Sequence, residues 1–312
     1  MHNNNKKLVD FLFHQKGIKI TYHSFKGSEL TEFKIPSTVV SIGRASFLLS
    51  QMRNVTFESP SICAKIGSFA FAGCHFLTHI TIPSSVTSIK SYAFHECKLL
   101  KEIQLPSSIT EIDDNTFYSC QSLENIIIPA SVNTIGYYAF SGCLSLTKIT
   151  IPSTVKEMFD GTFLGCKSLE TVSFELPSSI THLVQTFHGC SSLQFISLPP
   201  SLTSIGVSCF DNCTALRDIV IPSSVEILDY RSFRNCKSLS HISIPPSVTH
   251  VADSAFEDCS SLIDVDIQSK STEVDKYAFF GCFSLKLKKE KATDFKNEID
   301  EKKIKETKCR IS

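Results

Sequence analysis

The chain has no tryptophan and only three methionines. It also has no excess of charge, because 31 Lys and Arg stand against 31 Asp and Glu in 312 residues. A balanced chain sets up no net field, so nucleic acid is not implied as a partner. No apolar run reaches the ~18 to 20 residues that a bilayer-spanning helix needs. Near the start, Leu8-Val9-Asp10-Phe11-Leu12-Phe13 is apolar but short, and Asp10 interrupts it. That is too little for a signal-peptide core, so synthesis in the cytosol is expected. Gly-rich phosphate loops, G-x-S-x-G and H-E-x-x-H are missing, and so is C-x-x-C despite 13 cysteines. The chain therefore reads as non-catalytic, with no metal, no cofactor and no small-molecule substrate expected.

What is present is one pattern used again and again. Ten of the cysteines, from Cys74 through Cys97, Cys120, Cys143, Cys166, Cys190, Cys213, Cys236 and Cys259 to Cys282, recur every 23 residues, with one step of 24. Three residues before each stands a Phe, from Phe71 to Phe279, and three after it a Leu, from Leu77 to Leu285. A fixed period in this range is the signature of a solenoid, in which each unit buries its apolar edge against its neighbours. Length alone would suggest two domains, but stacking grows a chain without enlarging a core.

One unit runs from Ser91 to Ile112. Ile103-Gln104-Leu105 alternates with period two, which predicts a strand, and Pro106 cannot donate to a sheet ladder and so ends it. A second extended piece follows, with Ile109 and Ile112 pointing inward. A small residue then precedes the Phe, as Ala93 precedes Phe94. The residue before each ladder Cys is Gly (Gly73, Gly142, Gly165, Gly189, Gly281), Asn (Asn212, Asn235) or Asp258, with Glu96 and Ser119 as exceptions. Those residue types tolerate a left-handed backbone, so a short helical turn ending in a left-handed cap is expected there. Toward the front, Phe25, Phe47 and Pro36 keep the pattern while Ser28 and Ser50 stand near the Cys position. Toward the back, Gln268 replaces the Pro and the Ile ladder runs into Lys288.

The pattern L-x-x-I-x-I-P-x-S-V-x-x-I-x-x-x-A-F-x-G-C resembles the BspA-type leucine-rich repeats of bacterial and protozoan proteins, over roughly residues 20–287. The resemblance implies a leucine-rich-repeat solenoid, mainly β with short helical turns, of about 11–12 stacked 23-residue repeats. Residues 1–19 would be a lead-in or cap, and residues 288–312 a Lys-rich tail. It also implies a surface or membrane-associated binding molecule, several members being adhesin-like.

The cysteine ladder reads as small buried packing residues rather than a metal or redox array. Neighbouring thiols would lie a strand spacing apart with parallel Cβ directions, which does not suit a disulfide. Cys63 is expected in a loop, and Cys209 at the small-residue position. His75 and His79 have a helical zinc spacing but straddle a turn and a strand, so they should not converge. His182 and His188 fall in different parts of one unit. Asn54 and Asn212 open glycosylation sequons that matter only in the secretory lumen.

The positions between ladder residues on each strand vary freely and should face outward. They are His79 and Thr81, Glu102 and Gln104, Asn125 and Ile127, Lys148 and Thr150, Thr171 and Ser173, Phe195 and Ser197, Asp218 and Val220, His241 and Ser243, and Asp264 and Asp266. A row of mixed polar and isolated apolar side chains suits recognition of a protein partner, with Ile127, Phe195 and Val220 as anchors.

Residues 286–310 carry ten Lys or Arg against six Asp or Glu, and the sequence given ends Cys309-Arg310-Ile311-Ser312. This resembles a prenylation box of the farnesyl kind with upstream basic residues, although Arg310 stands where an aliphatic residue is usual. A lipid on Cys309 together with the Lys-rich tail would attach the chain to the cytoplasmic face of a membrane, the plasma membrane first. The alternatives are a free cytosolic protein and a cell-surface, adhesin-like one that binds host or matrix proteins.

Overall fold

A computed structural model describes residues 17–285. The chain winds as a β-solenoid of about eleven turns, each about 23 residues, with two strand faces and one turn face. Eleven short strands line the first face, from Glu32–Ile35 to Asp264–Ile267. Twelve line the second, from Ile18–Ile20 to Glu273–Val274. Strands pair only within their own face, always in parallel, and join residues of neighbouring turns, as Lys148–Ile151 pairs with Thr171–Phe174 and Thr134–Ile135 with Glu157–Met158. The alternation in the sequence explains the faces: in Lys148–Ile151 the burial runs exposed, buried, exposed, buried. Three of the four-residue strands on the first face, Glu32–Ile35, Lys148–Ile151 and His241–Ile244, stop at the residue before a proline. The proline carbonyl then accepts the N–H three residues on, Val155 N to Pro152 O at 3.0 Å, which turns the chain into the second face.

The interior is a set of ladders. Twelve Phe rings, from Phe25 to Phe279, stack in offset, near-parallel pairs, with centroids 5.0 to 5.9 Å apart and planes within 15°. Such stacking adds to the large apolar area each ring buries. The widest step, 5.9 Å, lies between Phe163 and Phe187, where the repeat has its extra residue.

The cysteine ladder has a role beyond packing. Each ladder thiol donates to the carbonyl of the Phe one turn earlier, Cys74 Sγ to Phe47 O and so on to Cys282 Sγ to Phe256 O, all at 3.0 to 3.3 Å. That carbonyl also accepts the backbone N–H of its own turn's Cys, as Cys97 N to Phe94 O at 3.1 Å. Serine can take the same place: Ser28 and Ser50 are buried, and the Ser50 hydroxyl lies 3.2 Å from Cys74 Sγ. A hydroxyl ladder runs beside it. Ser85, Thr154, Ser201, Ser224 and Thr272 each donate at 2.7 to 2.8 Å to a carbonyl one turn earlier.

Cys63 is not a loop residue. It is buried at the position that Val86 and Ile109 hold in the following turns, and its carbonyl accepts the Ser85 hydroxyl at 2.8 Å. Two extra residues after Phe57 disguise the register. The segment between the Gly position and the Cys also differs from expectation. No helix forms among the described residues. Instead, alternate N–H groups close turns within the segment, as Cys74 N to Phe71 O at 3.1 Å, and point to the next repeat, as Phe71 N to Ala93 O at 2.8 Å. Two residues in nearly every repeat are left-handed, not one. Beside the expected position, where Glu96 and Ser119 comply with φ of 56°, the residue two before the Phe has φ of 58° at Phe69, 63° at Tyr92 and 57° at Arg231. Left-handed backbone costs a non-glycine residue ~1 kcal/mol or so. A bond to the next repeat, such as Tyr92 N to Asp114 O at 2.9 Å, offsets it.

All twelve described cysteines are free and buried. Burial pushes the thiols upward, Cys120 and Cys166 to about 12 against an ordinary 9.0. The unfolded chain ionises near 9 and the folded one does not. Stability should therefore be intact below pH 9 and fall as pH rises toward about 12. Thermal unfolding followed across that window checks it, and a midpoint that stays flat would contradict it. Phe140→Ala should cost about 3 to 5 kcal/mol, because the ring is buried between two others. A calorimetric melt should show a lowered midpoint or two separate transitions, since stacked repeats couple only to neighbours. One transition at the wild-type temperature would contradict the role given to the ladder.

Candidate partner-binding face

The first strand face presents the outward positions named above in one row. His79, Thr81, Glu102, Gln104, Asn125, Ile127, Lys148, Thr150, Phe195, Asp218, Val220, His241 and Asp266 are exposed, and Asp264 is half-buried in the last turn. The buried members between them are Ile, Val or Leu in turn after turn: Ile80, Ile103, Ile126, Ile149, Val172, Ile196, Ile219 and Ile242. Among the outward side chains three are apolar, Ile127 (84% exposed), Phe195 (57%) and Val220 (77%), the last two in neighbouring turns. Apolar side chains set in a polar surround are what protein interfaces use as anchors.

The face is not uniform. Strands at His79–Ile80, Glu102–Ile103 and Asn125–Ile126 are only two residues long, between four-residue strands at Asn54–Phe57 and Lys148–Ile151. Thr81 and Gln104 meet only in an isolated bridge. Over this looser stretch lie two adjoining concavities of about 460 and 520 Å³, which share Asn125, Ile126 and Ile127. The first is lined by His79, Thr81, Glu102, Gln104 and Pro129, the second by Lys148, Thr150, Pro152 and Glu175. Glu175 was not marked by the repeat pattern. It sits in the insertion after Phe174, where its carboxylate accepts the Ser153 N–H at 3.3 Å. The 24-residue step was the only sign of it in the sequence. Leu176, beside it, is exposed.

The histidines considered for metal engage separate partners. His75 Nδ1 lies 3.0 Å from the Glu96 carbonyl, and His79 Nε2 lies 3.1 Å from the Thr81 hydroxyl. His182 Nδ1 contacts the Thr181 hydroxyl at 2.8 Å. On the turn face Asp211 is almost wholly buried, yet its carboxylate is satisfied. Arg234 donates to it through Nε at 3.0 Å and Nη2 at 2.8 Å, Asn212 donates at 2.9 Å, and His188 Nδ1 stands 3.5 Å away. The Arg234 fork ties Asp211 to the next turn, and His188 of the preceding turn stands beside the same carboxylate. Asn54 and Asn212, the sequon residues, are both half-buried. Cys309 lies outside the described residues.

Comparison with known proteins agrees with this architecture. The BspA type leucine-rich-repeat region matches the chain in six copies, over residues 2–99, 64–185 and 171–286. A leucine-rich repeat protein from Bacteroides ovatus shares 32% identity over 82% of this chain, with a TM-score of 0.69. A leucine rich cell surface protein from Faecalibacterium prausnitzii shares 31% identity over 86% of the chain, with a TM-score of 0.57. The chain spans 62% of the length of the first and 81% of the second. The pneumococcal vaccine antigen PcpA has the same fold at 19% identity, over 89% of this chain and 80% of its own, with a TM-score of 0.57. No curated protein matches at the level of sequence.

Proposed function

The chain belongs to the BspA-type leucine-rich-repeat family, and from that premise we propose that it is a non-catalytic binding solenoid that recognises a protein partner through its first strand face. One observation carries this reading. Buried positions on that face repeat the same residue types, while adjacent outward positions change in charge, size and polarity along the row, three of them apolar and exposed. The fold sets the geometry and leaves the outward row free to encode specificity.

A second reading, a cell-surface protein that binds host or matrix proteins, is favoured by the Faecalibacterium prausnitzii protein, which is described as a cell surface protein. Attachment to the cytoplasmic face of a membrane through a lipid on Cys309 and the Lys-rich tail is a separate proposal that rests on the sequence. The two locations are mutually exclusive and easily told apart.

Photo-crosslinking groups placed at positions 127 and 195 should capture the same protein, and one placed at Tyr137 on the turn face should not. Ile127→Asp and Phe195→Ser should each weaken binding of that protein about tenfold or more, the loss of one anchor. Undiminished affinity in the double variant would remove the strand face from the reading. For location, wild type and Cys309→Ser are compared by membrane fractionation in cells with active prenyltransferases. Sedimentation of wild type alone supports the lipid tether. Degradation by protease added to intact cells supports the surface reading, and protection there sinks it.

A further inference from the structure

The outward row on the first strand face is unevenly charged. From His79 to Asp266 it holds Glu102, Asp218, Asp264 and Asp266 against a single Lys148. Glu175 adds a fifth carboxylate at the second concavity. One against five is steeper than the 18 Lys and Arg against 24 Asp and Glu of residues 17–285. Lys101, next to Glu102 in sequence, pairs instead with Glu124 at 3.9 Å. Backbone pairing on the same face is interrupted as well. Among the described residues no ladder joins Asn125–Ile126 to Lys148–Ile151, or Asp218–Ile219 to His241–Ile244. Each open joint has an exposed apolar side chain beside it, Ile127 at the first and Val220 at the second. Each also has a carboxylate close by. Glu102 is in register with Asn125 one turn on, and Asp218, at the second joint, is in register with Phe195.

Resting on the reading of this face as a recognition surface, we propose that its partner is a basic protein segment, bound in extended form across the turns with a Lys or Arg at each open joint. At the second joint a cationic head can lie on the Phe195 ring and reach the Asp218 carboxylate one strand away, while its stem packs on Val220. At the first joint Ile127 takes the stem, and Glu102 and Glu175, one in each concavity, take the charge. Backbone groups at an open joint have no ladder partner on that side, so main-chain atoms of the bound segment can meet them. From Asn125 through Lys148, Thr171 and Phe195 to Asp218 the joints are four turns apart, ~19 Å at the usual strand spacing. An extended chain covers that distance in about six residues. Opposite charge steers the encounter and selects the partner, and salt screens it.

Peptide selection on the full chain tests this. Random displayed peptides of about twelve residues are long enough to reach both joints. They are selected on wild type after depletion on an Ile127→Ser, Phe195→Ser double variant, so that survivors depend on the face. The expected survivors carry net positive charge, with two Lys or Arg about six residues apart beside apolar residues. Glu102→Lys and Asp218→Lys combined should weaken binding of a synthetic survivor about tenfold or more, and Glu102→Gln with Asp218→Asn should weaken it less. Higher salt should bring wild type toward that neutral variant. Thermal midpoints equal to wild type establish that each variant is folded. Neutral or acidic survivors would overturn the basic segment and leave the face as a recognition surface. Basic survivors indifferent to both pairs of substitutions would overturn it too, by placing the charge contact elsewhere. If no peptide distinguishes wild type from the double variant, the proposal fails together with the reading of the face.

Discussion

The backbone of the ladder phenylalanine is the point on which the stack depends. Its N–H reaches forward to the next turn, as Phe117 N to Ala139 O at 2.8 Å. Its carbonyl takes two donors, the N–H of the same turn's Cys and the thiol of the next. Both groups are deep in the interior, where an unmade hydrogen bond costs more than a made one contributes. The side chains around them follow from this. The residue before the Phe must be small, because its carbonyl receives the forward bond, and Ala93, Thr116 and Ala139 are buried there. The Cys position must carry a short side chain that can donate, which Cys and Ser share and Val does not. A thiol adds to this a weaker desolvation cost than a hydroxyl and good packing beside aromatic rings.

This explains which parts of the structure were readable from residues alone. The Phe, Cys and Leu ladders are periodic and apolar, so they announced the solenoid, the strands and their outward face. The forward bonds did not show, because backbone donors have no residue signature. The second left-handed position was hidden for the same reason. Its occupants include Phe69, Tyr92 and Arg231, none of which prefers that conformation, and only the bond to the next turn sustains it. The expected helical turn is reduced to isolated i to i+3 turns, because left-handed residues such as Phe69 and Gly73 leave only three residues between them. Gly161 holds the same left-handed position, and a Cβ there would come within 2.5 Å of the Tyr138 ring. Cys63 and Glu175 were misread or missed because insertions of two residues shift the count after Phe57 and Phe174. The Asp211–Arg234 fork was invisible since its members lie 23 residues apart in a turn that otherwise varies. The identities of the outward side chains are not set by periodicity at all.

The division of labour is sharp. Stability resides in inward positions and backbone bonds that hardly change from turn to turn, and the outward positions contribute little to it. The first strand face also departs from regularity beside the two concavities, over the two-residue strands from His79 to Ile126. Short strands leave that stretch less tightly paired than its flanks, and local stability generally follows such pairing. A surface that must adjust to a contact would be best placed there, next to Ile127.

Because the forward bond from the ladder phenylalanine recurs at each joint between the described turns, turns of regular length are close to interchangeable parts. Removing the 23 residues between Cys97 and Cys120, or copying them, would bring Phe, Cys and Leu back into step with their new neighbours. No buried donor or acceptor would lose its counterpart. Only the order of the outward side chains would change, shifted by one strand. Unequal recombination within the gene can therefore lengthen, shorten or reshuffle the recognition row without first passing through an unfolded protein. A lineage carrying this chain can explore new ligands by arithmetic on whole turns as well as by point mutation.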